Sequence, residues 1–513
     1  MAEPILEHDK QVLHKMGYAQ ELSRRMSLFS NFAISFSIIC ILAGGISAFA
    51  VAFNSTGGGG AFIGWLIGGL FALLVSFSMG QIASAYPTAG GLYHWGSILG
   101  GKFWGWVTAW FNLLGLIFVV SSVDVYLYLV FFKGLLLETV LGMDTSAFTI
   151  VHQHVFVAVV LISQALFNIY GIKTTTRLTD LSGYLIFALT IVFIIALFAY
   201  SPVKLDFSRL VTFTNYTGEA GGSVIPSATP SLLLAFFFGL IYVMYTITGF
   251  DASGHTSEET HDAQVNVPKG MWTSVFWSWS FGLVMVAAFV LTMPSLDEGA
   301  ATGFNSFFYM WSASRMPYIL ALILAVGFVI VNYICALAGL TSTSRMMFAF
   351  SRDGGLPASK TLSHIHLKYR TPTYATWTAI VLAFLSTLYA DAFLILATGC
   401  AVFLYISYVI PVIAGLFAEG KTWTEKGPFN LGAWSKPIGI LAVIGVTLLT
   451  TTGFFPPNQR VFYLTVAMVV ILPILWFAFE RNRFEGVPMG DKIAQRQKMI
   501  AEIEAKYEGS AGK

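Results

Sequence analysis

Apolar stretches of roughly 20 residues, the length a helix needs to cross a bilayer, recur from one end of this sequence to the other. They lie at 28–53, 61–84, 103–132, 155–172, 179–200, 231–254, 271–294, 318–350, 373–390, 392–418, 437–455 and 460–479. Inside hydrocarbon every peptide group must find its partner within the protein, so runs of this length are read as helices. Composition agrees. Only 11% of residues are charged and 56% are hydrophobic, against about 25% charged in soluble domains. A soluble enzyme and a disordered chain are excluded, and a net charge of +2 leaves no basic surface for nucleic acid. The expected fold class is an all-α polytopic membrane protein with 12 transmembrane helices.

Charge placement predicts the orientation. With both ends inside, 23 of the 28 Lys and Arg fall in cytoplasmic segments, and only Lys133, Lys204, Arg209, Arg315 and Arg460 face outward. The positive-inside rule therefore places both termini in the cytoplasm of a multi-pass plasma (inner) membrane protein. Residues 1–27 carry mixed charge and no apolar core of a signal peptide, so they read as an N-terminal tail. Residues 480–513 read as a charged C-terminal tail. Cys40, Cys335 and Cys400 sit inside apolar runs, far apart, and read as buried structural thiols.

Two runs carry helix-weakening residues near their middle. The first holds adjacent Gly44 and Gly45; the sixth reads Tyr245-Thr246-Ile247-Thr248-Gly249-Phe250-Asp251. They are five runs apart, at corresponding positions of two five-helix halves. Inverted-repeat transporters place their substrate site at such paired breaks. The competing reading is that these glycines only let helices pack closely.

Four stretches then carry a resemblance. Ser84-Ala85-Tyr86-Pro87-Thr88-Ala89-Gly90-Gly91-Leu92-Tyr93-His94-Trp95 resembles the signature of the amino acid–polyamine–organocation transporter superfamily. The segment from Thr248 to Thr260 is similar to the sixth-span motif of its amino acid/choline branch, which includes GABA permeases. Ser344 to Pro357 and Trp110 to Gly115 add two further matches, and the likeness runs from about residue 17 to 480. It implies two inverted five-helix repeats, at 28–200 and 231–418, with helices 1 and 6 broken. Residues 437–479 would then form two peripheral helices.

The same resemblance implies a secondary permease taking up an amino acid such as GABA, with a small organic amine, a choline-like cation or amino-acid exchange as alternatives. Ala43, Gly44, Gly45 and Ile46 would capture a carboxylate at the start of a half-helix, where N–H groups and the positive dipole end are exposed. Carbonyls around Tyr245, Thr246, Ile247 and Thr248 would receive an ammonium, with Tyr245 either an aromatic gate over the amine or a packing residue. Asp251 stands where relatives keep a gating or proton-linked acid; alternatively it caps a half-helix. Asp124, Glu258 and Arg345 are gate candidates, Asp124 lying in the outer half of the third run. Asn112 and Asn332 read as interhelical glue.

No Gly-x-x-x-x-Gly-Lys-Ser/Thr segment is present, so ATP is not the expected driving force. Proton-coupled relatives keep a lysine midway along the fifth span, near Ile186 here, yet Leu181 to Tyr200 contains none. The eighth run offers Ala338, Thr341 and Ser342 at i, i+3, i+4. Together with carbonyls of Ile39 and Leu42 they resemble a sodium site of related symporters; hydroxyls bonded back to the preceding turn are the competing reading. No cofactor is expected beyond Na⁺ or H⁺ as coupling ion. Expected partners are the amino acid or amine and membrane lipids, with the chain either a monomer or a homodimer. A channel lacks a filter-like segment, and an enzyme lacks metal-ligand or nucleophile motifs in the runs.

Overall fold

The computed structural model describes residues 2–170, 172–218, 224, 228–388, 392–455 and 458–508. Gly171, in the loop before the fifth run, and residues 509–513 of the C-terminal tail lie outside them. Helices dominate: among the described residues the strand-like pairings are two isolated bridges, Met26 with Thr260 and Glu419 with Trp423. After α1 (Ala2–Lys15) come α2 (Leu28–Ile39), α3 (Ile41–Ser47), α4 (Phe49–Ala85), α5 (Leu92–Gly100) and α6 (Lys102–Tyr126). There follow α7 (Ile150–Tyr170), α8 (Ile172–Ala199), α9 (Leu232–Gly239), α10 (Ile241–Thr246), α11 (Ala252–His255) and α12 (Ala263–Thr292). The chain ends with α13 (Tyr318–Arg352), α14 (Thr373–Ser386), α15 (Ala392–Ala418), α16 (Ser435–Thr452), α17 (Gln459–Leu475) and α18 (Asp491–Glu508).

Ten helical stretches among the described residues are long and apolar enough to cross a membrane. Two further apolar helices, Leu232–Thr246 and Thr373–Ser386, are shorter. The first is short because its helix stops at the sixth-run break. Several helix boundaries differ from the apolar runs, and three departures bear on the site. The first run divides at Cys40, and α4 carries a kink where Thr56 and Gly57 leave helical geometry (Gly57 φ 71°). The third run continues as a π-helix over Leu127–Val140, several residues beyond the apolar segment read from sequence.

The broken helices lie inside the bundle. α4 packs on α12 on one flank and α6 on α15 on the other; α2 lies against α12 and α8, while α13 runs along α2, α3 and α6. Burial follows: every residue from Ser30 to Ile46 and from Phe238 to Thr260 is buried. Irregular backbone at membrane depth is tolerated only where protein surrounds it, and these two segments satisfy that condition.

Candidate substrate site at two helix breaks

The first break falls at Cys40, whose φ of 25° and ψ of 84° end one helix and start the next. That is four to five residues before the Gly44-Gly45 pair from which the break was expected. The Cys40 N–H still donates to the Phe36 carbonyl at 3.0 Å, and the Cys40 carbonyl accepts from Ala43 at 2.7 Å and Gly44 at 3.1 Å. The amides of Ala43 and Gly44 are therefore committed. A helix start leaves its first N–H groups without intrahelical partners, which moves the free donors to Ile41 and Leu42. Gly44 has another purpose: a Cβ there would stand 2.9 Å from the Cα of Thr246. The two broken helices cross with backbones nearly touching. At Gly45 a Cβ would meet the Met285 side-chain tip at 2.6 Å, and the Gly45 carbonyl accepts the Tyr242 hydroxyl at 3.0 Å. Ala43 and Ile46 are buried in the same half-helix.

The second break spans Ile247 to Asp251. Ile247 leaves helical geometry, and Gly249 takes φ +84°, a left-handed conformation that favours glycine. Side chains of α15 secure it. Tyr405 donates to the Ile247 carbonyl at 2.7 Å, and the Tyr408 hydroxyl accepts the Gly249 N–H at 2.9 Å. The Ile247 carbonyl, one of the expected ammonium acceptors, thus already accepts one hydrogen bond from the protein. Ser35 donates to the Phe250 carbonyl at 3.0 Å, tying α2 to the same loop. The Thr246 hydroxyl bonds back to Tyr242, and the Thr248 hydroxyl lies 3.4 Å from that of Tyr408. Tyr245 donates to Ser122 at 3.4 Å, with its ring 5.8 Å from Tyr126, so it faces α6 in an aromatic corner beside the break.

Asp251 is buried and fully partnered. It accepts from Tyr408 at 2.8 Å and Asn112 at 2.8 Å, and its Oδ2 lies 3.1 Å from His255 Nε2. It occupies the N-cap position of α11 without a side-chain capping bond, and it is buried away from solvent. Asn112 is glue, as expected, but its partner is this acid. The sequence reading missed Tyr405, Tyr408 and His255. A phenol pair at i, i+3 inside an otherwise apolar run was the available signal for the first two.

The eighth-run trio divides. Cys335 Sγ touches the Ile38 carbonyl at 3.2 Å, which lays α13 along the first break. Helical spacing puts Ala338 and Ser342 on that same face, at i+3 and i+7 from Cys335. Ile39, Leu42, Ala338 and Ser342 are all buried, and the Ser342 hydroxyl has no protein partner. Thr341 instead directs its hydroxyl to Asn168 Oδ1 at 2.7 Å and the Leu337 carbonyl at 2.9 Å. Of the two hydroxyls expected in the oxygen set, Thr341 is thus already hydrogen-bonded and Ser342 is not.

The gate candidates are also rearranged. Asp124 is fully buried and accepts from Gln164 on α7 at 2.9 Å, so it does not line an outer vestibule. Arg345 pairs with Glu259 at 3.0 Å, whereas Glu258 takes both arms of Arg352 at 2.8 and 3.1 Å. Burial works to raise the Glu258 carboxyl. The Arg352 guanidinium and the Ala89 N–H more than reverse this and hold it below the usual carboxylate range. Residues 18–26 are threaded beneath this layer: Met26 donates to the Glu259 carbonyl at 2.8 Å, and Arg352 covers the Tyr18 ring at 4.1 Å. Tyr18 donates to Asp353 at 2.7 Å, Tyr93 at 3.1 Å, and Arg496 from α18 reaches the other oxygen at 2.8 Å. Burial works to raise the Asp353 carboxyl, but His94 and the arginines hold it at about 2. Both tails thus close over the end of the bundle that carries Glu258 and Glu259.

The comparisons with known proteins agree with this architecture. The family model described as amino acid permease matches residues 26–479. "Amino-acid permease BAT1" of Arabidopsis thaliana is 30% identical, over 94% of this chain and 97% of that protein. Its homolog in Oryza sativa subsp. japonica is also 30% identical, over 92% and 94%. "Amino-acid permease 2" of Neurospora crassa is 26% identical, over 94% and 89%.

Proposed function

The chain belongs to the amino acid permease family of the amino acid–polyamine–organocation superfamily, and from that premise we propose that it takes up an amino acid such as GABA by cation-coupled alternating access. As a member it is a multi-pass membrane transporter of amino acids and not an enzyme. The observation carrying the finer reading is the pair of breaks, at Cys40 and at Ile247–Asp251, held against each other where Gly44 meets Thr246. Ile41 and Leu42 would offer N–H groups to a carboxylate, and the carbonyls of Tyr245, Thr246 and Thr248 would take an ammonium. Asp251 acts by holding the second break in shape. Tyr245 and Tyr126 beside the break favour a second reading, a choline-like or amine cation stacked on aromatic rings.

The topology proposed with this function has twelve spans, the ten long helices and the two shorter ones. Residues 28–200 and 231–418 form the inverted repeats, 437–479 the peripheral pair, and both termini lie in the cytoplasm of the plasma membrane. For coupling, Na⁺ would use carbonyls of Ile39, Leu42 and Ala338 with the unpartnered Ser342 hydroxyl, whereas H⁺ would use Asp251 with His255. Counterflow into proteoliposomes tests the reading: internal unlabelled GABA should drive accumulation of labelled GABA, and a panel of amino acids, amines and choline ranks the alternatives. Failure of every amino acid to support counterflow refutes it.

A further inference from the structure

A groove of about 780 Å³ opens between α2, α8 and α12 on the outside of the bundle, at the end where residues 18–26 fold beneath it. That volume is within the range of about 300–1,000 Å³ typical of ligand sites. Lys269, Thr273, Trp277 and Phe281 follow one another at i+4 along α12 and form one wall; Phe32 and Phe187 form the others. From Lys269 to Phe281 the stripe rises about 18 Å, close to the roughly 15 Å depth of one leaflet's hydrocarbon. Its single charge, Lys269, stands at one end, followed by the Thr273 hydroxyl and then the aromatic Trp277 and Phe281. Trp277 is 42% exposed, an indole left facing the groove. No ion pair reaches the exposed Lys269 ammonium among the described residues.

We propose that this groove is a binding site for one anionic phospholipid, its acyl chain lying along Trp277, Phe281 and Phe187 and its phosphate paired with Lys269. Charge and depth together select this occupant: a zwitterionic lipid brings its own cation beside Lys269, and a water-soluble anion leaves the aromatic wall uncovered. The charged mouth lies at the end that the orientation proposed above makes cytoplasmic, the leaflet in which anionic lipids are concentrated. The lipid would flank α2, the half-helix that ends at Cys40.

Native mass spectrometry of the purified full-length protein, titrated with phosphatidylglycerol or phosphatidylcholine of identical chains, tests the proposal. Phosphatidylglycerol should be retained about fivefold more strongly, the effect of one lysine near an anionic headgroup. Lys269→Ala should erase that preference, and Thr273→Glu, which sets a carboxylate one turn along, should reverse it. Trp277→Ala should weaken both lipids. Glycerol phosphate should not compete, which separates a lipid from a headgroup anion. Equal retention of the two lipids by the unsubstituted protein, or an undiminished preference in Lys269→Ala, overturns the assignment.

Discussion

Tyr408 donates to Asp251 across 2.8 Å and accepts the Gly249 N–H at 2.9 Å, so a single phenol on α15 ties together two points of the second helix break. Removing the hydroxyl leaves a buried carboxylate oxygen and a buried N–H short of a partner. Tyr408→Phe should therefore cost about 2 kcal/mol, the penalty for stranding buried polar groups. Tyr405→Phe strands only the Ile247 carbonyl and should cost about 1 kcal/mol. Thermal unfolding of both variants in one detergent compares them; equal losses would mean that the break does not depend on the Asp251 contact.

A pH effect follows from Asp353. Its carboxyl is held at about 2, below its ordinary 3.8, through His94, Arg496 and Arg352 acting against burial. A depressed carboxyl adds stability that is complete above the unfolded value and fades as pH falls through the folded one. The contribution is roughly 2 kcal/mol, present at neutral pH and lost between about pH 4 and pH 2. Asp353→Asn should be less stable at pH 7 and show a flatter profile across that window. The readout is the unfolding midpoint against pH.

Glu258 and Glu259 are adjacent, yet they pair with different arginines, Arg352 and Arg345. Both pairs are shielded from water, so removing one partner should cost about 3–5 kcal/mol. Glu258→Ala with Arg352→Ala should then lose less than the two single losses together. Glu258→Ala with Arg345→Ala should lose about their full total. Double-mutant cycles on unfolding free energy measure both couplings, and equal coupling would show that the layer does not resolve into two pairs.

The ion reading can be decided within one turn of α13. Under sodium coupling, Ser342→Ala should abolish sodium stimulation of uptake, while Thr341→Ala, whose hydroxyl faces Asn168, should retain it. Uptake by the unsubstituted protein that ignores sodium and follows a proton gradient assigns coupling to Asp251 and His255 instead. The measurement is initial uptake rate in proteoliposomes under imposed gradients.

The spans were legible because membrane length and apolarity are local properties. The run at 392–418 matches α15 at both ends, and the eighth begins at Tyr318 as read. The breaks were legible only to within a turn. Gly44 and Gly45 looked like weak points of a helix, but they are places where another helix arrives, and that helix is about 200 residues away in sequence. Cys40, where the backbone does turn, carries no conformational signature of its own. Partner choice was beyond reach for the same reason. Nothing near Glu258 distinguishes Arg345 from Arg352, and Arg496 meets Asp353 across 143 positions.

The crossing of the two broken helices supplies the sharpest expectation. A methyl at Gly44 would stand 2.9 Å from the Thr246 Cα, which is backbone and cannot swing aside. A methyl at Gly45 would meet only the end of Met285, a flexible side chain. Gly44→Ala should push α3 and α10 apart, costing about 1–3 kcal/mol as overpacking does, and should reduce uptake far more than Gly45→Ala. The larger Gly45→Leu exceeds what Met285 can yield and should also abolish uptake. Uptake assays normalised to folded protein measure all three. If Gly44→Ala transports normally, the two half-helices do not need this contact, and the substrate site must be sought away from the crossing.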